Sequence, residues 1–413
     1  MFKIRSIEIS GFWNRHNVST KFNDQVNVII GKNGTGKTTF MNILQSVLAV
    51  DLDGLYDNQF DTVTIILADG DKQKTIKATR IESHLHPISL IEYKISSKKF
   101  QVPLLPPDDV RRPILMRKRA IEQSAIVRDA LADMVSLASL SVYRIRNDVD
   151  FDIRDRNAKR YSTPVDARLS ELTQQLTHYQ LELSQSARDI SVDLQKKVLI
   201  SLLYEKSETP NSFTTNFNEV EEKSKLTSAY KQLGVTGPDV NKRINEHVSS
   251  IDTAIKQLKS SSKSFDIGAF EAKLRTEKVV KLSLDAEEKI RDIYKQIDLF
   301  LEKLSSFISD KKFSISGGDL KVVTDEQLPL ERLSSGEKQL LILLIEALLQ
   351  RKKTCIFIAD EPELSLHIAW QKKIVPAVIE INPNAQIIVA THSPEIAGRY
   401  SNFTIDMEDM ING

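Results

Sequence analysis

A glycine-rich segment near the start of the chain has residue types suited to holding phosphate groups. It spans residues 31–38, reads Gly-Lys-Asn-Gly-Thr-Gly-Lys-Thr, and lies between the apolar run 26–30 and the helical pattern 39–48. Glycines let backbone N–H groups converge on phosphates, Lys37 neutralises the β and γ phosphates, and the Thr38 hydroxyl suits a magnesium shell. The pattern and its strand–loop–helix setting predict a nucleotide-binding loop formed by Asn33, Gly34, Thr35, Gly36, Lys37, Thr38 and Thr39.

Two acidic residues and a histidine follow two other apolar runs. Asp360 and Glu361 end the run that begins at Cys355, and His392 follows the run 386–390. A buried strand would deliver these groups to the phosphate end of the sheet, where Asp360 can hold magnesium through water and Glu361 can polarise an attacking water. A neutral His392 can hydrogen-bond the γ-phosphate. The alternative is a solvated acidic pair and a structural histidine, which does not explain the apolar strand that leads to the acids.

A further polar group begins the strongly apolar helical run 339–349. It reads Leu-Ser-Ser-Gly-Glu at residues 333–337. Serine hydroxyls and backbone amides at a helix N-terminus, together with the helix dipole, favour an anion. Ser334, Ser335 and Gly336 are therefore candidate phosphate ligands, although the segment alone fits an ordinary N-cap equally well.

These motifs, taken in order, resemble the Walker A, signature, Walker B with D-loop, and switch-histidine motifs of ABC ATPases. Asp-Glu-Pro-Glu at 360–363, Leu-His at 366–367 and Thr-His-Ser-Pro at 391–394 are most similar to the branch that includes the SMC, RecF and OLD-family ATPases. The signature departs from the Leu-Ser-Gly-Gly-Gln of transporters. The resemblance covers about residues 1–60 and 310–413, and it implies an α/β fold: a P-loop NTPase head with a mixed sheet and helices, binding ATP and Mg²⁺.

The resemblance also implies roles for individual residues. Glu361 and His392 would be catalytic, Thr38 and Asp360 would hold the metal, and residues 334–336 would act in trans on ATP held by a second subunit. A homodimer or a higher even oligomer is then required. The Q-loop is expected near the strand 140–146, but no glutamine lies there, and Arg144 or Asn147 are the available substitutes.

The rest of the chain predicts two halves of a head separated by a helical insertion. Residues 2–30 predict two strands, an alternating one at 3–9 and a short apolar one at 26–30. Alternating segments within 61–95 predict an antiparallel sheet, and four prolines within 102–113 predict a surface connection. From Asp166 apolar residues recur at three- and four-residue steps, and a second such series runs from Ile290 to Phe307. We expect head segments at 1–165 and 312–413 and a coiled-coil insertion at 166–311. A compact helical bundle would show the same periodicity.

Composition limits the partners. Lysine plus arginine (57) nearly balances aspartate plus glutamate (56), so any nucleic-acid contact must be local. Two basic clusters bear on such a contact. The first is Arg111, Arg112, Arg117, Lys118 and Arg119, and the second is Arg154, Arg156, Lys159 and Arg160, which acidic residues interrupt. The single Cys355 excludes an internal disulfide and is expected to be a buried, inert thiol. No run is apolar enough for a membrane span, so we expect a cytoplasmic protein with no membrane contact.

Two functions remain open from the sequence. In the first, ATP-driven dimer closure moves the helical insertion and regulates a separate effector, a nuclease or a toxin. Proteins of this type resemble the ATPase subunits of anti-phage systems such as PARIS, Septu and some retrons. In the second, the protein is a DNA-engaging ATPase of repair or maintenance. OLD-family nucleases carry a TOPRIM domain after the ATPase, and because this sequence ends at Gly413 we expect none here.

Overall fold

The computed structural model describes residues 1–81, 89–105, 114–140, 163–201, 218–259, 267–324 and 326–411. The chain divides into two compact units. The first, called the sheet unit, contains Met1–Thr177 and Leu299–Gly413, and the second, called the helical unit, contains His178–Asp298. The domain boundaries predicted from the sequence, at residues 166 and 311, remain a prediction.

The strands are, in chain order, β1 (Lys3–Phe12), β2 (His16–Lys21), β3 (Val26–Ile30), β4 (Thr62–Asp69), β5 (Lys72–Ile81), β6 (Ser89–Ile95), β7 (Lys98–Leu104), β8 (Leu137–Leu140), β9 (Lys312–Ser316), β10 (Asp319–Val323), β11 (Gln327–Leu328), β12 (Cys355–Asp360), β13 (Ala385–Ala390) and β14 (Thr404–Asp406).

The α-helices are α1 (Lys37–Ala49), α2 (Leu52–Asp57), α3 (Ile114–Ala132), α4 (Pro164–Ser201), α5 (Glu219–Gln232), α6 (Pro238–Lys259), α7 (Ile267–Phe307), α8 (Ser335–Leu349), α9 (Ile368–Ile381), α10 (Pro394–Arg399) and α11 (Met407–Ile411).

An antiparallel sheet of order β2-β1-β4-β5-β6-β7 forms one layer of the sheet unit. In β1 the buried residues Ile4, Ile7 and Ile9 alternate with more exposed ones, with one register shift beside β4. The prediction of only two strands in residues 2–30 was wrong, because β2 lies between them. That edge strand reads His-Asn-Val-Ser-Thr-Lys and buries only Val18, so it carries almost no apolar periodicity.

The parallel sheet has the order β14-β3-β13-β12-β8, with every neighbouring pair parallel. Its central strands β12 and β13 are buried at almost every position, which is typical of strands covered on both faces. Side chains of both sheets and of α1 share one apolar core. The predicted α/β fold with a P-loop head and long inserted helices is therefore confirmed.

One connection differs from the sequence prediction. The proline-rich segment 102–113 was predicted to be a surface connection throughout, but residues 102–104 end strand β7, and Pro103 pairs with Leu90. A proline is tolerated there because β7 is the edge strand of its sheet. Residues 106–113 of this segment lie outside the described residues. The candidate Q-loop residues Arg144 and Asn147 also lie outside them.

The helical unit is built around an antiparallel pair made by α4 and α7. The Tyr294 hydroxyl lies 3.4 Å from Ser184 Oγ, and the Tyr179 hydroxyl lies 3.4 Å from Gln296 Oε1. Helices α5 and α6 pack with α7 around the buried Leu226, Val248 and Val280 and their neighbours. The unit thus combines the hairpin and the bundle that the periodicity left open.

Across the described ranges, no helix is both long and apolar enough to span a bilayer.

Candidate nucleotide site

The glycine-rich loop connects the end of β3 to the start of α1, as predicted. Gly31, Gly34 and Gly36 all have positive φ angles, of 148°, 82° and 99°. A Cβ on Gly36 would lie 2.9 Å from Phe12 Cζ and 3.0 Å from the Trp13 ring, so no larger residue fits without displacing this aromatic pair. A Cβ on Gly34 would meet no atom within 4 Å. The backbone of the loop is therefore approachable at its middle and closely packed at the helix start.

Lys37 reaches back across this loop. Its Nζ donates to the carbonyl oxygens of Gly31, at 2.8 Å, and Lys32, at 3.0 Å, although the residue is buried. The Thr35 hydroxyl also donates to Lys32 O, at 2.9 Å. These bonds close the loop around an ammonium group, while Asn33 and Thr38 remain exposed and Thr39 is half-buried. The residues fit a phosphate group, because a glycine-rich backbone loop and an ammonium group lie together at a helix N-terminus.

The strand register brings the acidic residues to the level of this loop. Asp360 pairs with Ala390 across β12 and β13, and Ala390 pairs with Ile29 across β13 and β3. Beyond the strand ends the order continues, since Glu361 N donates to Ala390 O at 2.8 Å and Thr391 N donates to Ile29 O at 3.1 Å. The predicted Walker A, Walker B and histidine segments therefore emerge side by side at the carboxyl edge of one sheet.

Glu361 and His392 lie together at this edge. The Nε2 atom of His392 is 3.9 Å from Glu361 Oε1, and both side chains are partly exposed. Glu361 has a φ of 48°, a left-handed conformation that residues with a Cβ rarely adopt. Unusual backbone of this kind concentrates at functional sites. The carboxylate and the imidazole can therefore act on the same bound group.

The signature segment forms a complete capping box at the start of α8. Ser334 Oγ accepts from Glu337 N at 3.3 Å, and Glu337 Oε2 accepts from Ser334 N at 2.8 Å. Burial alone would raise the pKa of Glu337, but its hydrogen bonds from Lys311 and Ser334 hold that pKa below the usual value. The N-cap interpretation is thus correct for Ser334, and both Ser334 and Ser335 remain exposed to a further ligand.

Gly336 brings this helix against the segment that follows Glu361. A Cβ at residue 336 would lie 2.4 Å from the carbonyl oxygen of Ser365, which is a backbone atom and cannot swing aside. Ser365 is itself in a left-handed conformation, with a φ of 66°. Glycine at position 336 is therefore required by this close approach, which joins the signature and the D-loop within one chain.

Three contributions to the site were not assigned from the sequence. Glu363 Oε1 accepts three hydrogen bonds from residues 391–393, and Gln371 links Ser393 to the carbonyl of Leu366. The segment after β14 flanks the loop, where Glu408 lies 3.3 Å from Lys32 Nζ. The repeated acid in Asp-Glu-Pro-Glu was a signal for Glu363. Gln371 and Glu408 carried no comparable signal.

Comparison with known proteins agrees with this geometry. The sequence model described as the AAA ATPase domain matches residues 2–397, so the chain belongs to that family of ATPases. The Escherichia coli protein named Retron Ec83 probable ATPase is 34% identical over 94 residues, which are 20% of this chain and 16% of that protein. The chain thus matches 16% of the length of that curated relative.

Solved structures of low sequence identity were also found. One is the Smc head domain with an extended coiled coil bound to the C-terminal domain of ScpA, from Pyrococcus furiosus, at 12% identity, a TM-score of 0.43, and coverage of 96% of this chain and 92% of that one. Another is the Smc head domain with a coiled coil and joint from Pyrococcus yayanosii, at 13% identity, a TM-score of 0.40, and coverage of 96% and 93%.

Proposed function

We propose that this chain binds ATP with Mg²⁺ and hydrolyses the γ-phosphate. The observation that carries the proposal is the meeting of the Lys37 loop, Asp360, Glu361 and His392 at the carboxyl edge of one parallel sheet. In open α/β sheets, ligands bind at this edge. An ATPase needs a phosphate cradle, a metal-holding acid and a base, and these residues supply all three.

Each residue has a role in the proposal. Residues 33–39 would surround the phosphates, with the Lys37 ammonium exchanging its loop carbonyls for phosphate oxygens. Thr38 and Asp360 would hold Mg²⁺, which supplies charge neutralisation when bound. Glu361 would take a proton from the attacking water, and the neutral His392 imidazole would hydrogen-bond the γ-phosphate.

We propose further that two copies of the chain form the working enzyme as an ABC-type homodimer or a higher even oligomer. Ser334, Ser335 and Gly336 would contact the ATP held by the other subunit. Support comes from the two exposed serines at the N-terminus of α8, where hydroxyls, amides and the helix dipole favour an anion. The chain carries a single set of these motifs, so a composite site needs a second copy.

The Glu361→Gln variant tests the chemistry. The amide keeps the side-chain shape but cannot accept a proton, so ATP should stay bound while its hydrolysis slows by about 100-fold or more. Size-exclusion chromatography with ATP and Mg²⁺ should then show the dimer accumulating. Turnover at the wild-type rate would assign the base to another residue.

The trans arrangement is tested by mixing two inactive variants, Lys37→Ala and Ser335→Arg. Each homodimer has two defective sites, whereas a mixed dimer has one site with both defects and one with neither. Part of the ATPase activity should therefore return on mixing. Heterodimers that form but stay inactive would show that residue 335 does not act across the interface.

For the biological role, we propose that the nucleotide state regulates a separate effector, a nuclease or toxin, in bacterial anti-phage defence. This assigns the protein to the cytoplasm and to the OLD-like group. The partial likeness to a retron ATPase supports it. So do two ion pairs with buried carboxylates that join the first turns of α4 to the signature helix, namely Asp166 with Lys338, at 2.7 Å, and Arg168 with Glu346. A movement of α8 would therefore displace the first turns of α4, the helix that continues into the helical unit.

Deleting residues 207–263 tests this coupling. The deletion removes the outer part of the proposed insertion and leaves the described site residues unchanged. Nucleotide binding should persist, while protection of host cells against phage, or co-purification of the effector, should be lost. Full biological activity in the deletion variant would contradict the regulatory role.

One observation favours the alternative, a DNA-binding ATPase. Lys77, Lys94 and Lys99 are paired directly across β5, β6 and β7, and all three are exposed. Like charges directly opposite one another destabilise a sheet, and an anionic partner would relieve that repulsion. Glu92 offsets part of this charge at 3.3 Å from Lys99. Of the basic groups considered from sequence, only Arg117, Lys118 and Arg119 lie within the described residues, exposed on α3.

Fluorescence anisotropy with a labelled duplex at several salt concentrations tests this alternative. The triple variant Lys77→Gln, Lys94→Gln and Lys99→Gln should weaken binding and reduce its salt dependence if these lysines contact phosphates. A matched variant at Lys312, which is exposed on β9, serves as control. If the wild-type protein does not bind the duplex at low salt, the hypothesis of a DNA-binding ATPase is wrong.

A further inference from the structure

A single carboxylate oxygen holds the segment that carries His392. Glu363 Oε1 accepts from the Thr391 hydroxyl at 2.6 Å, from His392 N at 2.7 Å and from Ser393 N at 3.1 Å. Hydrogen bonds to a charged acceptor are shorter and stronger than neutral ones. Two of the three donors are backbone groups on and beside the histidine, so Glu363 fixes the main chain there and leaves the imidazole free.

The segment that carries Glu363 is itself fixed. Glu361 N donates to Ala390 O at 2.8 Å, Leu364 N donates to Glu361 O at 3.1 Å, and Leu366 N donates to Glu363 O at 2.9 Å. These bonds fold residues 361–366 into a tight turn directly after β12. The Glu363 side chain therefore projects from a rigid support, and its reach to residues 391–393 is set by the backbone.

A second link joins the same two segments from the other side. Ser393 Oγ donates to Gln371 Oε1 at 2.7 Å, and Gln371 Nε2 donates to Leu366 O at 3.2 Å. The His392 side chain is 40% exposed, and its Nε2 lies 3.9 Å from Glu361 Oε1. The bonds at residues 391 and 393 thus restrain the backbone on both sides of His392 and leave its side chain beside the proposed base.

We propose that Glu363 is a positioning residue that holds His392 at Glu361 for ATP hydrolysis, an inference that rests on the function proposed above. Without this carboxylate, His392 N and the Thr391 hydroxyl lose their acceptor, whereas Ser393 N keeps a bond to Thr391 Oγ1 at 2.9 Å, so the restraint is lost at His392 itself. The histidine would then leave its place beside Glu361. ATP binding would persist, because within the part of the chain that the structure describes Glu363 bonds to residues 391–393 and not to the Lys37 loop.

The two oxygens of Glu363 differ, and the difference gives a conservative variant. Oε2 is buried and has no hydrogen-bond partner among the described residues, whereas Oε1 accepts all three bonds. In Glu363→Gln the amide oxygen can take the Oε1 position and accept the same donors. Glu363→Ala removes the acceptor altogether. Comparison of the two variants separates the loss of the hydrogen bonds from the loss of the charge.

The experiment measures steady-state ATP hydrolysis, ATP affinity by calorimetry, and hydrogen exchange of the peptide that contains residues 391–393. Glu363→Ala should lower kcat at least about 10-fold while the Kd for ATP changes less than about threefold. Glu363→Gln should retain most of the turnover. Glu395→Ala is the matched control, because Glu395 pairs with Lys372 on the surface nearby and should alter neither quantity.

A double-mutant comparison tests the route through His392. If Glu363 acts by holding the histidine, then Glu363→Ala should have little further effect in a His392→Ala protein. Additive losses of kcat would overturn the inference, since Glu363 would then act elsewhere. A structural role alone would lower the unfolding midpoint without this non-additivity.

Hydrogen exchange makes the test independent of turnover. The amide of His392 should exchange at least about 10-fold faster in Glu363→Ala and at the wild-type rate in Glu395→Ala. Unchanged exchange in Glu363→Ala would overturn the positioning role even if the enzyme hydrolyses ATP. Faster exchange in a protein that shows no ATP hydrolysis would support the positioning role and contradict the proposed function.

Discussion

The edge of the parallel sheet and the helical unit are stabilised in different ways. At the sheet edge the backbone is held by contacts of individual atoms. One Glu363 oxygen accepts three hydrogen bonds, and the carbonyl oxygen of Ser365 leaves no room for a Cβ at residue 336. In the helical unit an apolar seam is flanked by exposed pairs one turn apart, such as Asp193 with Lys197 and Asp285 with Lys289. Substitutions should therefore lower activity or stability strongly at the sheet edge and only slightly in the helical unit.

The largest effect is expected at Lys37. Lys37→Ala removes both the charge opposite the phosphates and the two bonds that close the loop, so affinity for ATP should fall about 100-fold or more. Calorimetry with ATP and Mg²⁺ measures this. Lys32→Ala is the matched control, because its exposed side chain pairs with Glu408 outside the loop. Equal losses in the two variants would contradict a special role for Lys37.

The next effect is expected at Gly336. Gly336→Ala must push the start of α8 away from Ser365, so ATP turnover should fall about 10- to 100-fold while ATP still binds to the Lys37 loop. Gly398→Ala is the control, because a Cβ there meets no atom within 4 Å. Normal turnover in Gly336→Ala would mean that the signature and the D-loop do not need this close contact.

A smaller, purely structural effect is expected where the two sheets meet. The fully buried Gln386 accepts from Ile4 N and donates to the carbonyls of Ile4 and Asn23, with distances of 2.7, 2.7 and 2.8 Å. Gln386→Leu would remove the partner of both the N–H and the carbonyl of Ile4, while Asn23 O keeps its bond from Asn27 Nδ2, and should lower the free energy of unfolding by about 3 kcal/mol. Urea denaturation followed by circular dichroism measures the change. A loss below about 1 kcal/mol would show that the groups find other partners.

The smallest effect is expected in the helical unit at Asp193. Its carboxylate lies 2.7 Å from Lys197 on a fully exposed helix face, and this hydrogen bond lowers the pKa of Asp193. Solvent screens such a pair, so Asp193→Ala should shift Tm by less than about 2 °C in differential scanning calorimetry. If Asp193→Ala lowered Tm as much as Gln386→Leu does in the same calorimetric measurement, the two regions would not differ in their sensitivity to substitution.

The sequence predicted the sheet edge well because the chemistry there requires specific residue types at fixed spacings. Lys37, Asp360, Glu361 and His392 were named from the sequence, and the structure brings their segments together at one edge. Their roles remain proposals. Cys355 was predicted to be buried and is, and burial raises the pKa of its thiol to about 12.

Other features could not be predicted, for identifiable physical reasons. Strand β2 is stabilised by pairing with β1 and buries only Val18, so it has no apolar period. The link through Gln371 depends on how α9 approaches residue 393, which local sequence does not encode. The helical unit combines a pair of long helices with a small packed cluster, and both arrangements use the same apolar spacing.

The strand order of the parallel sheet has a consequence for how the protein is made. The P-loop strand β3 has β13 and β14 as its two neighbours, with Val28 paired to Val389 on one side and to Thr404 on the other. During synthesis β3 leaves the ribosome long before β13 and β14, so its backbone groups cannot pair with these strands until then. Pairing so distant in sequence makes folding slow and exposes the chain to aggregation. The nucleotide site therefore forms only after residues 385–406 have been synthesised.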